Sequence, residues 1–274
     1  MIRFALCISL SVTLFDFTAS AAVLYGVDES GPNRLLAIDS STGVASVASP
    51  FVAIPSFRTT GLAFSPDGTL FSVSGGFGGP QQLVSADIDT GTVNVVGTHG
   101  LSGVTSLAFN DNGELFAFDI VNDLFVTIDP TTAATTVIAA SSLPVQSLAF
   151  APDGTLFASL NSSPDVLFTI DTATGAGTAV GSLGFTGVRG LAFDGSGNLF
   201  GSDLETDQLI SIDTTTGLGT AIGSFGLGNG PLVNVASLAF RGAPVPEPSS
   251  IASSCAMIML GLAARRRRQR SRSS

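Results

Sequence analysis

Three stretches of this 274-residue chain set a carboxylate in the same surroundings: Asp28 in LYGVDES, Asp119 in LFAFDIVND and Asp203 in LFGSDLETD. Further acids follow each of them, namely Glu29, Asp123, Glu205 and Asp207. Oxygen-rich loops of this kind suit calcium, which takes about six to eight oxygen ligands at roughly 2.3–2.6 Å. The same aspartates also suit a structural task, each accepting hydrogen bonds from its own loop backbone as a turn cap. A fourth acidic segment, DIDTG from Asp87, looks like a piece of a calcium loop but lacks the glutamate that should follow, so it reads as a turn.

Other candidates for chemistry are few. His99, in GTHGLSG, is the only histidine, and acid–base catalysis would need a nucleophile beside it that the loop does not supply. Arg58 and Arg189 stand at the entrances of repeated apolar strands, where they could clamp an anion or neutralise nearby carboxylates. Sugar-binding surfaces usually stack rings on Trp or Tyr, yet the chain has no Trp and one Tyr, leaving Phe77 and Phe225 in glycine-rich loops as the aromatic candidates. Paired carboxylates are plentiful, and two or three converging on one channel would make a glycosidase.

These residues hang on a repeat. GLAFSPDGTLF, SLAFNDNGELF, SLAFAPDGTLF and GLAFDGSGNLF begin at Gly61, Ser106, Ser147 and Gly190, and a lone SLAF begins at Ser237. The Leu-Ala-Phe triplets are spaced by 45, 41, 43 and 47 residues, a period that signals a repeat architecture. Each unit holds four short runs rich in Val, Ile, Leu and Phe, separated by Asp-Gly or Thr-Gly turns, and none has the period of a long helix. Four antiparallel strands per forty-odd residues make one blade of a β-propeller. Closure follows from the ends of the body: VLYGVD, RLLAID and GVASVAS match the second to fourth strands of a unit, and VASLAF matches the first. The last strand is thus expected to complete the first blade, giving five blades with no open edge at the seam. The pattern is similar to the NHL and YVTN class of propeller repeats, which implies this fold and no particular activity. The repeated Phe64, Phe109, Phe150, Phe193 and Phe240, with Tyr25, Phe71, Phe116, Phe157 and Phe200, read as packing between blades. The stretch 49–60 reads as a long loop.

Charge is distributed unevenly. The propeller body, 22–242, carries four arginines against nineteen carboxylates, a net charge of −15, which repels nucleic acid and favours basic or cationic partners. Residues 1–21 have an early arginine, an apolar stretch and Ala19-Ser20-Ala21, the pattern of a cleaved secretory signal. Both cysteines, Cys7 and Cys255, lie in terminal apolar segments, so the body has no disulfide. At the other end Pro244, Pro246 and Pro248 stiffen a linker over 243–250, followed by the apolar segment 251–264 and an arginine-rich tail over 265–274. As a helix the apolar segment spans only about 21 Å of a hydrocarbon layer of about 30 Å. Arg265, Arg266, Arg267 and Arg268 then fit a cytoplasmic stop, with the body across the membrane.

Val245, Pro246, Glu247 and Pro248, a short apolar helix and a terminal arginine cluster, in that order, resemble the PEP-CTERM sorting signal. The resemblance implies an exosortase-type enzyme as processing partner, cleavage near the motif, and delivery to the cell surface. From these parts the chain is expected to be an exported five-bladed propeller that works without catalysis as a structural or interaction module, anchored by its tail until processing. Its expected partners are extracellular polysaccharide or a surface protein, with calcium the one ion suggested and no other cofactor. The competing expectation is a carboxylate-based hydrolase or lyase acting on extracellular polysaccharide, which requires three carboxylates to converge on the channel.

Overall fold

The computed structural model describes residues 23–29, 34–48, 60–75, 81–226 and 234–242. The signal segment, the loop 49–59, Arg58, Phe77, the motif Val245, Pro246, Glu247 and Pro248, the apolar segment 251–264 and Arg265 to Arg268 lie outside the described residues. Among the described residues no helix is long and apolar enough to cross a membrane.

Among the described residues twenty strands form five four-stranded antiparallel sheets. The first blade orders β20 (Val235–Arg241), β1 (Val23–Asp28), β2 (Arg34–Ile38) and β3 (Ala45–Val47) from the axis outward. The second holds β4 (Thr60–Phe64), β5 (Leu70–Ser74), β6 (Gln82–Asp87) and β7 (Thr92–Thr98). The third holds β8 (Val104–Phe109), β9 (Leu115–Asp119), β10 (Leu124–Ile128) and β11 (Thr135–Ala140). Next come β12 (Val145–Phe150), β13 (Leu156–Leu160), β14 (Val166–Ile170) and β15 (Gly177–Ser182) in the fourth. The fifth is β16 (Val188–Phe193), β17 (Leu199–Asp203), β18 (Gln208–Ile212) and β19 (Gly219–Ser224). The expected seam is present: β20 pairs antiparallel with β1 from Val23 opposite Arg241 to Asp28 opposite Val235.

Five apolar clusters fill the five junctions between blades. Each takes the alanine of one Leu-Ala-Phe triplet and the leucine of the next: Ala63 with Leu107, Ala108 with Leu148, Ala149 with Leu191, Ala192 with Leu238, and Ala239 with Leu62. Alternation along a strand sends neighbouring side chains to opposite faces, so one triplet serves two junctions. Beneath each cluster an aromatic ring from a second strand meets the triplet phenylalanine of the next blade. Tyr25 lies 5.5 Å from Phe64, Phe71 5.2 Å from Phe109, Phe116 5.4 Å from Phe150, Phe157 5.4 Å from Phe193 and Phe200 6.5 Å from Phe240. These separations lie in the attractive range for aromatic pairs.

Polar ties cross the same junctions. The Leu148 amide donates to Ser106 Oγ at 2.7 Å, and the Leu191 amide to Ser147 Oγ at 2.8 Å. Thr105 Oγ1 donates to the Val145 carbonyl and Ser159 Oγ to the Val188 carbonyl. On the perimeter the turn between third and fourth strands presses on the previous blade's outer strand, where a glycine admits it. A Cβ built on Gly181 would stand 2.0 Å from the Thr216 carbonyl oxygen, and one on Gly223 2.2 Å from that of Thr42.

Two sets of substitutions check this frame. Ser147→Ala leaves the buried Leu191 amide without its acceptor and is expected to cost about 1–3 kcal/mol in denaturant unfolding. Gly181→Ala is expected to cost about 1–3 kcal/mol by forcing two blades apart, whereas Gly195→Ala, which meets nothing within 4 Å, should leave the midpoint unmoved.

Candidate functional site

The ends of the second strands bring the repeated aspartates to one face of the ring, and all three are buried. Asp28 stands opposite Arg34 in the β1–β2 register and accepts from its Nη2 at 2.5 Å and its Nε at 3.1 Å. Asp119 accepts from the amides of Ser102, Val121 and Asn122 at 3.2, 3.0 and 3.1 Å, and from Asn122 Nδ2 at 2.6 Å. Asp203 accepts from the Glu205 amide and from Thr206 Oγ1. Asp28 thus pairs with an arginine across its hairpin, and the other two acids act as loop caps.

Of the two tasks expected for these acids, Asp119 and Asp203 perform the turn cap, while Asp28 pairs with Arg34. Among the described residues no group of three or more His, Cys, Asp or Glu side chains is placed to hold a metal ion. These carboxylates compensate their burial with nearby donors: Asp119 and Asp203 with groups two or three residues on, Asp119 also with the Ser102 amide, and Asp28 with the arginine across its hairpin.

Sequence reasoning missed two residues of this face. The second strands β5 and β13 end in Ser74 and Leu160 rather than aspartate, and in those blades the acceptor stands one position before the third strand. Asp165 accepts from the Ser162, Gly187 and Val188 amides at 3.0, 2.8 and 2.7 Å, and Gln81 Oε1 accepts from the Val104 amide at 2.9 Å. Val104 and Val188 open the first strands of the next blades, so both acceptors tie one blade to the start of its neighbour. The signal was available as an aspartate and a glutamine at equivalent offsets before QLVSAD and VLFTI, where the preceding strand lacked its terminal acid.

His99 is buried, not a surface residue, and its Nδ1 accepts from the Leu101 amide at 3.3 Å. Burial holds its pKa below the ordinary 6.5 against an opposing pull from Asp119. Arg189, the second residue of β16, is exposed. Phe225 is fully buried and offers no ring to a ligand.

The opposite face carries the turns. Asp39, Asp129, Asp171 and Asp213 each accept from amides two and three residues on or from a hydroxyl in the same turn, and Asp87 accepts from the Asp89 and Thr90 amides, as expected for DIDTG. These bonds hold the five carboxyls below the usual carboxylate range. Arg241 makes a two-pronged pair with Asp89 at 3.0 and 2.7 Å, fixing the end of β20 to the second blade. On the axis a cavity of about 100 Å³ is lined by the five Leu-Ala-Phe triplets, so the three converging carboxylates that a hydrolase requires are not on its wall.

No known protein family matches the chain, and no curated protein is similar to it in sequence. Solved structures are similar in fold. A chain of the nidogen/laminin complex superposes with a TM-score of 0.58 at 13% identity, over 82% of this chain and 100% of that one. A structural-genomics protein of unknown function from Bacteroides thetaiotaomicron VPI-5482 gives 0.54 at 20% identity, over 82% of this chain and 61% of the other. At such identities the likeness concerns fold alone.

The titrating groups predict a two-stage acid response. His99 has a folded pKa below its unfolded value, so its stability contribution is complete above pH 6.5 and is lost as pH falls below it, at most about 1.4 kcal/mol per pH unit. The turn aspartates, also lowered, begin to cost stability only as pH falls below 3.8. Denaturant midpoints between pH 7 and 3 should show both stages, and His99→Gln should flatten the first while leaving the second.

Proposed function

We propose that the chain is exported and serves, without catalysis, as a structural or interaction module at the cell surface or in the extracellular matrix. The observation that carries this reading is the state of the buried carboxylates: Asp28, Asp119, Asp165 and Asp203 all hold an arginine or their surrounding backbone and hydroxyls. A catalytic acid or nucleophile has to face substrate with a proton or lone pair to give. These are occupied with holding loops in place.

Export rests on the secretory pattern of residues 1–21, and sorting on the PEP-CTERM resemblance of Val245, Pro246, Glu247 and Pro248 with the arginines that follow. In this reading an exosortase-type enzyme is the processing partner and the membrane is a temporary attachment. Extracellular polysaccharide or another surface protein is the lasting partner, and the acidic exterior excludes nucleic acid.

The test is intact-mass analysis of the chain recovered from the cell surface, together with incubation on the host's own polysaccharide. The expected results are a carboxyl end before residue 251, retention of the arginine tail when the exosortase-type enzyme is deleted, and polysaccharide of unchanged length. A surface chain that keeps Arg265 to Arg268 would make the tail a plain anchor. Shortened polysaccharide with the wild type but not with Asp119→Asn would establish the hydrolase instead.

A further inference from the structure

A cleft of about 350 Å³ opens on the turn face where the second and third blades meet. Phe71 and Phe109, Pro66 and Pro130 line it together with Asp67 and Asp111. The two rings meet edge to face at 5.2 Å, and Phe109 is only half-buried. A cleft of this size lies at the lower end of the ligand-binding range, about 300–1,000 Å³.

Asp111 is the one group on this wall that the fold does not account for. In the other turns between first and second strands an aspartate holds the loop: Asp67 Oδ1 accepts from Ser65 Oγ at 2.5 Å and from the Thr69 amide at 3.0 Å, Asp153 from the Thr155 amide, and Asp194 from the Ser196 and Asn198 amides. In the third blade Asn110 takes over this task, accepting from the Asn112 and Glu114 amides at 3.1 and 2.9 Å. Asp111 stands where the other turns have Pro66, Pro152 and Gly195, is exposed, and takes no part in these bonds. The Ser65 hydroxyl holds the Asp67 carboxyl below its usual range, so it is ionised at neutral pH. No arginine lines the cleft. Arg241 belongs to an adjoining cleft that shares Asp67 and Asp111, and there Asp89 already holds both of its Nη groups.

We propose that this cleft receives an arginine side chain from a basic segment of a partner protein. Aromatic and proline walls with carboxylates beside them match a guanidinium, which stacks on rings, bonds carboxylates with two prongs and brings an apolar stem. A hard metal ion suits the place poorly, since rings and prolines make up much of the wall and no three acids or histidines gather to hold one among the described residues. Charge complementarity sets the class of partner: a body of net −15 draws a basic protein surface and repels a polyanion. The inference rests on reading the chain as an interaction module, and it makes the lasting partner a protein rather than an acidic polysaccharide.

The probe is N-acetyl-arginine methylamide, titrated onto the full chain in mild detergent at about 0.15 M salt and followed by saturation-transfer NMR. Binding should saturate, with the strongest transfer to the side-chain methylenes, and the citrulline analogue, a neutral isostere, should not bind. Asp111→Asn should weaken binding about fivefold, and Asn112→Lys, which sets a cation in the cleft, should abolish it. Asp213→Asn removes the same unit of charge from a turn outside the cleft and should stay within about twofold of the wild type. Equal weakening by Asp111→Asn and Asp213→Asn would reveal only a general acidic field and would overturn the proposal. So would equal binding of the citrulline analogue, or no binding of the arginine probe. These failures are distinct from that of the module reading, which falls on shortened polysaccharide.

Discussion

Everything in this ring depends on how a Leu-Ala-Phe triplet divides its side chains. Leucine enters the junction behind it, alanine the junction ahead, and phenylalanine joins its leucine in the first of these, against the preceding blade's aromatic ring. A blade by itself would leave both faces of its inner strand exposed, so a single blade has no complete core. The constraint also fixes size. Alanine facing leucine lets neighbouring inner strands approach closely enough for a serine hydroxyl to reach the next strand's amide at 2.7 or 2.8 Å. A larger residue at the alanine position would open the ring and break those bonds.

Because burial of apolar surface falls between blades rather than within them, the seam is held by the same interactions as any other junction. β20 brings Leu238 and Ala239 into two separate clusters, which joins the two ends of the described chain through side-chain packing as well as through its ladder with β1. Arg241 then reaches beyond its own blade to Asp89. Exposed ion pairs of this kind contribute little energy, so the seam's strength lies in the two clusters and the ladder.

The fold was legible because its information is periodic. Spacing of the triplets gave the blade count, the orphan VASLAF gave the closure, and repeated Phe and Tyr gave the junction aromatics. The carboxylates were legible only in position. Sequence placed Asp28, Asp119 and Asp203 at the ends of their second strands and left open whether each looks outward or caps its own loop. Asp203 has Thr206 and Asp119 has Asn122 three residues on, a spacing that does carry the capping geometry once sought. Asp28 differs, since its partner is the arginine that opens the next strand. Gln81 and Asp165 escaped notice because their acceptor function had moved across the hairpin, where the repeat no longer aligns them with the other three.

The distribution of charge follows from this use of acids. A turn between third and fourth strands must reverse tightly and still satisfy its amides, and aspartate followed by threonine and glycine does so in Asp39, Asp171 and Asp213 with Gly43, Gly175 and Gly217 at positive φ. Repeating that solution in several blades accumulates negative charge on one face without any site demanding it. The acidity is thus first a consequence of how the turns are made. Its physical effect is nevertheless real, since carboxyls held below their usual range stay ionised across ordinary pH, and a face of fixed negative charge selects which partners can approach it. The outer strands contrast with this face: β7, β11, β15 and β19 contain no charged residue, and Val95 and Val137 stand half exposed upon them. A partner meeting the rim would therefore encounter main-chain edge and small apolar side chains, while one meeting the turn face would encounter carboxylates, so the two surfaces discriminate between partners on different physical grounds.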